Sequence, residues 1–242
     1  MNQVKRVWSL LQQAVFRFIN ATMQNLCIIA VAGSGKTTTI LEALRLCTGR
    51  VVFVAFAKAL QTEIEKRLAH GGITHAVSKT THALGLGALY KVVKGRFGLE
   101  GTRGERCRFF AARLLKDDRH PLISAIVEVV GLAKNHLASD VETIVDLMDH
   151  HGVDFPEGFT SEDVAGHVLA ILEVSKRETA IISFDDMIWL PVVLNAPFPR
   201  YDTVMVDECQ DLNDCQLELL SRLVGRGRVV MVGDPRQSIF GF

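Results

Sequence analysis

The chain carries no surplus of charge. Its 27 Lys and Arg are matched by 27 Asp and Glu over 242 residues, which excludes a broadly basic surface and confines any nucleic-acid contact to a local patch. Its 5 cysteines are odd in number and form no C-x-x-C, which argues against a disulfide framework and a cysteine zinc site. Cys27, Cys47, Cys107, Cys209 and Cys215 are therefore expected as reduced, mostly buried thiols. No apolar run is long enough to cross a bilayer, and Met1 to Trp8 lack the apolar core of a secretion signal, so a cytoplasmic location away from membranes is expected. Internal repeats and low-complexity stretches are absent, and the histidines, His150 and His151 included, lack ligand spacing and read as surface or satisfied side chains. At 48% hydrophobic and 22% charged, the chain can bury a large core, as one domain with an insertion or as two small ones.

The most informative segment that is present runs from Ala30 to Thr37, AVAGSGKT. It follows an apolar run, Leu26 to Ile29, and opens a helix-compatible run, Thr38 to Cys47. A strand, a glycine-rich loop and a helix make a phosphate cradle: backbone N–H groups point at the phosphates and the helix N-terminus adds partial positive charge. Lys36 would reach the β- and γ-phosphates, and the Thr37 hydroxyl would ligate Mg²⁺. Ala30 stands where the strict pattern has its first glycine. No N-K-x-D base-reading motif and no lid motif accompany the loop, which leaves a small-molecule kinase or a GTPase without support.

Val51 to Phe56, Val204 to Glu208 and Val229 to Asp234 are nearly continuous apolar runs rich in β-branched residues, the mark of strands buried on both faces of a parallel sheet. In an open α/β sheet the ligand lies beyond the carboxyl ends of the strands, where Lys36, Asp207, Glu208, Asp234 and Gln237 would meet. An acid at the end of a buried strand needs a partner, and a nucleotide-bound Mg²⁺ would supply one to Asp207, directly or through water. Glu208 is placed to orient and deprotonate the water that attacks a γ-phosphate.

From about Glu105 the apolar period becomes helical. Cys107, Phe110, Ala111 and Leu114 share one face, as do Ile126, Val129, Val130 and Ala133, and a capping box, Thr160 to Asp163, opens a further helix. Pro156 and Gly158 divide this block. Tyr90 to Phe110 interleaves aromatics with Lys91, Lys94, Arg96, Arg103, Arg106 and Arg108. Such a segment could follow a DNA backbone or could be a solvated loop and helix face.

Together these segments resemble motifs I, II and III of the UvrD/Rep-like superfamily 1 DNA helicases: AVAGSGKT, then VDECQD from Val206 to Asp211, then VGDPRQSIFGF from Val232 to Phe242. Gln12 resembles the adenine-reading glutamine ahead of motif I, with Gln13 the alternative register. Phe56 to Ala59 resembles motif Ia, Thr80 to Gly85 motif Ib, and Phe184 to Met187 the return from an inserted subdomain. The resemblance implies a P-loop NTPase fold, an α/β RecA-like parallel sheet (1A, residues 1–88 and 180–242) with an inserted, mainly helical 1B subdomain (89–179).

It also implies the site. Ala32, Gly33, Ser34, Gly35, Lys36, Thr37 and Thr38 would hold ATP with Gln12, while Thr37 and Asp207 take Mg²⁺. Glu208 would act as base with Lys36 and Gln237 as the other catalytic side chains, Gln237 sensing the γ-phosphate. Phe56, Thr80, His82, Phe240 and Phe242 would touch single-stranded DNA or a single-strand/duplex junction. For Phe56 and Phe240 core packing is the competing role, and Ala57 and Thr81 depart from the family's polar and aromatic residues. The implied activity is ATP-driven movement on DNA, 3′ to 5′. A second RecA-like lobe, in cis or in trans, is absent from these residues, and the alternative is a nucleotide-dependent DNA-binding or regulatory module without motor activity.

Overall fold

The computed structural model describes residues 7–31 and 33–237. Along the chain run α1 (Leu10–Ala21), β1 (Leu26–Ile29), α2 (Lys36–Leu46), β2 (Val51–Ala55), α3 (Lys58–His70), β3 (Ala76–Thr80) and α4 (Thr81–Leu89). Next come β4 (Gly98–Leu99), α5 (Glu105–Leu115), α6 (Ile123–Asn135), α7 (Val141–His151), α8 (Ser161–Arg177), β5 (Ile181–Ile182) and α9 (Asp186–Val193). The described chain ends with β6 (Thr203–Val206), a 3-10 turn at Cys209–Asp211, α10 (Asp214–Val224), β7 (Arg228–Gly233) and a 3-10 turn at Pro235–Gln237. Two compact units result: Met1–Thr81 with Pro199–Leu212 and Leu220–Phe242, and His82–Phe198 with Asn213–Leu219.

The first unit is built on a wholly parallel five-stranded sheet in the order β1-β7-β6-β2-β3. The apolar runs expected as strands are strands, and β2 and β6 are buried along their whole length. Phe53, Met205, Val230 and Val232 form one core with Ile19 of α1, Ile40 and Leu44 of α2, and Ile64 and Leu68 of α3. β3 alternates buried and exposed residues, as an edge strand does, and so has no continuous apolar run in the sequence. Every strand of this sheet points the same way, so the segments that follow β1, β6 and β7 emerge on one edge.

The second unit is helical apart from the short parallel pair β4 and β5. The capping box at Thr160 opens α8, and the break at Pro156 and Gly158 separates it from α7. α4 and α9 also fall in this unit. A side chain at Gly85 would place its Cβ 2.1 Å from the Met187 carbonyl oxygen, so only glycine lets the two backbones approach so closely.

The unit's interior holds charge. Asp186, fully buried, accepts from Arg106 Nη1 at 2.7 Å and lies 2.8 Å from Lys134 Nζ, while Arg106 Nη2 donates to the Ser175 carbonyl. One carboxylate thus ties α5, α6 and α9 together, with α8 joined through the arginine. Buried Glu100 accepts from the backbone N–H groups of Gly104 and Arg106 at the start of α5. This corrects part of the reading of the basic stretch: Arg106 is only 6% exposed and is a structural cation, not a groove residue for DNA. Its partner lies 80 residues away, outside the reach of local charge counting.

Burial opposes the charge on Asp186, but Lys134 and Arg106 outweigh it and hold the carboxyl below the usual carboxylate range. A depressed folded value stabilises the protein above the ordinary carboxylate range, about pH 4, and that contribution is lost as pH falls through the folded value. Asp186→Asn leaves two buried cations unpaired and is expected to cost about 3–5 kcal/mol at neutral pH. Denaturant melts between pH 7 and pH 3 check this, the expected loss shrinking on acidification; a pH-independent loss would contradict the charge-pairing account.

Candidate nucleotide-binding site

Two glycines shape the loop after β1. Gly33 (φ 76°) and Gly35 (φ 84°) are left-handed, and Gly35 is the N-cap of α2. The helix therefore starts at Lys36, two residues ahead of the run read from the sequence, and Lys36, Thr37 and Thr38 form its first turn. Ser34 is exposed in the loop and its N–H donates to the Val31 carbonyl. Ala32 lies outside the described residues.

Glu208 follows the end of β6 in a left-handed conformation (φ 52°, ψ 44°), unusual for a residue with a Cβ and a mark of local strain. Its carboxylate receives Lys36 Nζ at 3.0 and 3.1 Å, joining residues 172 positions apart. Gln210 Nε2 donates to the same carboxylate at 3.0 Å, and Gln210 Oε1 accepts from the Asp234 N–H at 3.1 Å. Gln237 Nε2 donates to Asp234 Oδ2 at 2.9 Å. A continuous polar chain, Lys36–Glu208–Gln210–Asp234–Gln237, therefore runs across the carboxyl ends of β6 and β7.

The two acids differ in environment. Burial raises Asp207 above the usual carboxylate range, the neighbouring Glu208 charge adds to the effect, and the Glu208 backbone N–H and Lys36 offset it only partly. Burial also opposes ionisation of Glu208, but the hydrogen bond from Gln210 and the pairing with Lys36 prevail and hold it low. A carboxylate that is 5% exposed and disfavoured as an anion suits a divalent cation. No group of three His, Cys, Asp or Glu side chains among the described residues forms a cation cage.

Beside the loop lies a cavity of about 230 Å³ lined by Gln12, Val15, Ile28, Val31, Lys36 and Thr39. Gln12 is fixed at both ends of its carboxamide: Oε1 accepts from the Ser9 N–H in the cap of α1, and Nε2 donates to Thr39 Oγ1 at 2.9 Å. Gln13 is bound instead to the Trp8 carbonyl and does not line the cavity, so of the two registers left open Gln12 is the one at the loop. Thr39 and Gln210 were not singled out from the sequence. Thr39 looks there like an ordinary helix residue, and only the tertiary bond to Gln12 reveals it.

Of the residues expected at DNA, Phe56 follows β2 and is 37% exposed, and Thr80 ends β3 opposite Ala55, so the two stand at neighbouring strand ends. His82 belongs to the second unit, where its ring meets Phe184 edge-on at 6.2 Å. Burial lowers its pKa, the charge of Asp185 opposing. Phe240 and Phe242 lie outside the described residues. Among the other histidines, His136 Nδ1 pairs with Asp214 Oδ2 at 2.9 Å, but His136 Nε2 and His151 Nε2 are both buried without a hydrogen-bond partner, so the reading of all histidines as surface or satisfied does not hold for these two.

A family model described as UvrD/REP helicase N-terminal domain matches residues 11–242. The ATP-dependent DNA helicase Rep of Escherichia coli (strain K12) is 24% identical over 249 residues, covering 89% of this chain and 34% of Rep. UvrD1 of Mycobacterium leprae (strain TN) is 25% identical over 257 residues, 90% of this chain and 32% of that helicase. The RecBCD subunit RecB of Mycolicibacterium smegmatis is 36% identical over 90 residues, 32% of this chain and 8% of RecB. The chain spans about a third of the length of Rep and UvrD1.

The geometry makes the Lys36–Glu208 pair a contributor to the stability of the nucleotide-free protein. Glu208, with its depressed folded value, contributes above the ordinary glutamate range, about pH 4.3, and loses that contribution as pH falls through the folded value. Lys36→Met is expected to cost about 1 kcal/mol at pH 7, as suits a partly exposed pair, and to cost much less near pH 3.5. Urea titrations at the two pH values measure it, and an equal cost at both would show that the pair is not what Lys36 supplies.

Proposed function

The chain belongs to the UvrD/REP helicase N-terminal domain family, and on that premise we propose that it forms the ATP-binding part of an ATP-dependent DNA helicase, coupling ATP hydrolysis to movement on single-stranded DNA. The unit with the parallel sheet corresponds to the RecA-like 1A domain, and the helical unit to the inserted 1B subdomain. The observation that carries the proposal is the Lys36–Glu208–Gln210–Asp234–Gln237 chain, which joins the ends of three motifs beside a glycine loop. The similar helicases Rep and UvrD1 support the substrate class, and a cytoplasmic site of action, 3′ to 5′ polarity and use of Mg²⁺ belong to the same proposal.

In this reading Gly33, Ser34 and Gly35 let the backbone approach the phosphates, and Lys36 leaves Glu208 to pair with them. Thr37 and Asp207 hold Mg²⁺, which when bound draws charge from the phosphate oxygens. Freed from the lysine, Glu208 accepts the proton of the attacking water, and Gln237 contacts the γ-phosphate. The apolar cavity beside Gln12 takes the base. Phe56 offers an aromatic face for stacking, worth about 1–3 kcal/mol per base and indifferent to sequence.

Two variants separate these roles. With the fold intact by circular dichroism, calorimetric titration is expected to show no Mg·ATP binding by Lys36→Ala, because the phosphate charge goes unmatched, and near-parental binding by Glu208→Gln, which keeps shape but cannot take a proton. Parental affinity in Lys36→Ala would remove the phosphate cradle from the account.

A second expectation concerns the arginines that offset charge developing on the γ-phosphate, worth about 10³–10⁵ in rate in arginine-finger systems. We assign them to a second RecA-like lobe, in cis or in trans. The 242 residues alone are then expected to bind nucleotide while showing negligible DNA-stimulated hydrolysis and no unwinding. Phosphate release at motor-like rates from this chain by itself would show that the arginine is internal.

A further inference from the structure

Gln210 has no assigned part in the chemistry above, yet its side chain is built into place from both ends. Glu208 turns the backbone through a left-handed conformation into the 3-10 turn Cys209–Asp211, which brings the Gln210 carboxamide over the end of β7. There the sheet makes room for it. A Cβ on Gly233 would sit 2.5 Å from Gln210 Oε1 and 2.8 Å from Cys209 Sγ, so a side chain there would push the Gln210 amide out of this position.

The orientation of the amide is forced. The Asp234 backbone N–H can only donate, so the carbonyl oxygen Oε1 must face it (3.1 Å), and the NH₂ group then faces the Glu208 carboxylate (3.0 Å). Asp234 is held in turn on its other side, Oδ1 accepting from the Arg236 N–H and Oδ2 from Gln237 Nε2. Asp234 thus joins Gln210, through its backbone N–H, to Gln237, through its carboxylate, so displacing one is felt at the other.

We propose that Gln210 is a positioning residue that couples the γ-phosphate sensor Gln237 to the base Glu208. The proposal rests on the reading of this site as one for ATP. When phosphates draw Lys36 away, Glu208 loses its cation and keeps the Gln210 N–H donor, which holds the carboxylate in orientation. When Gln237 turns to a γ-phosphate, Asp234 gives up that partner and its N–H carries the Gln210 amide with it. The carboxylate is thereby set for chemistry only with a triphosphate in place. Gln210 itself touches no reacting atom.

The test is a double-mutant cycle on nucleotide preference in the 242-residue chain. Affinities for Mg·ADP and for a non-hydrolysable Mg·ATP analogue are read by competition with a fluorescent ADP, for the parent, Gln210→Met, Gln237→Met and the double variant. Gln210→Met keeps the bulk and removes the amide's bonds to Glu208 and to the Asp234 N–H, together with the longer one to Asp211 Oδ2. Expected are ADP affinities within about twofold of the parent, a loss of triphosphate preference of about threefold or more in each single variant, and a double variant no worse than the poorer single, the non-additivity of residues in one network. Gln210→Glu, which keeps an acceptor for the Asp234 N–H but turns a carboxylate toward Glu208, is expected to fail like Gln210→Met. Gly233→Ala, which pushes the amide aside without removing it, is expected to reproduce the same loss. Effects that multiply in the double variant, or an unchanged preference in Gln210→Met, overturn the coupling while leaving nucleotide binding intact. A parent chain that binds neither nucleotide overturns the ATP reading itself, so the two failures are distinguishable.

Discussion

The ion pair between Lys36 and Glu208 is the contact on which the site is organised, and it exists because of strand order. β7 lies between β1 and β6, so the loop after β1 and the turn after β6 are separated by two strand spacings, about 10 Å. A lysine stem starting on the first turn of α2 spans that gap and ends at 3.0 Å from the carboxylate. A different strand order would leave the glycine loop, the paired acids and the Asp234–Gln237 turn on separate parts of the edge. The pair also keeps two mutually repelling acids, Asp207 and Glu208, compatible with a site that holds no nucleotide, since Lys36 offsets both charges.

The protein uses buried charge in two distinct ways. In the helical unit Asp186 is satisfied by two cations that have nowhere else to go, and the result is cohesion among α5, α6 and α9. In the sheet unit Lys36 is held by a carboxylate whose side chain is one-third exposed, and in the proposed reading a phosphate would offer it more charge. The strained backbone of Glu208 and the tight packing over Gly233 keep the acceptor in place while the donor leaves.

Much of this was legible in the sequence, and the parts that were not have physical reasons. The runs at β2 and β6 announce themselves because parallel strands buried on both faces cannot tolerate polar interruptions, while β1, an edge strand of alternating burial, is legible through the apolar run that leads into the glycine loop. β3 could not be read that way, since an edge strand with Ser78 and Lys79 looks like a loop. Arg106 reads in the sequence as one of a run of basic residues, whether for DNA or for solvent, because its partner, Asp186, is distant in sequence and meets it only through the packing of the helical unit. Thr39 carries no local signal, and Gln210, although it lies within the VDECQD segment, becomes informative as a side chain only once the fold shows what it is holding. The choice of Gln12 over Gln13 likewise depends on the register of α1 against α2, which one sequence does not fix.

The central claim is that Lys36 exchanges Glu208 for phosphate while Gln210 retains the carboxylate. A crystal structure of the chain with a non-hydrolysable ATP analogue and Mg²⁺ tests it directly. The account predicts Lys36 Nζ on the β- and γ-phosphate oxygens, out of hydrogen-bond reach of Glu208, with the Gln210–Glu208 and Gln210–Asp234 bonds still made and Gln237 turned to the γ-phosphate. Nucleotide bound with Lys36 still paired to Glu208, or bound away from the loop between β1 and α2, would contradict it.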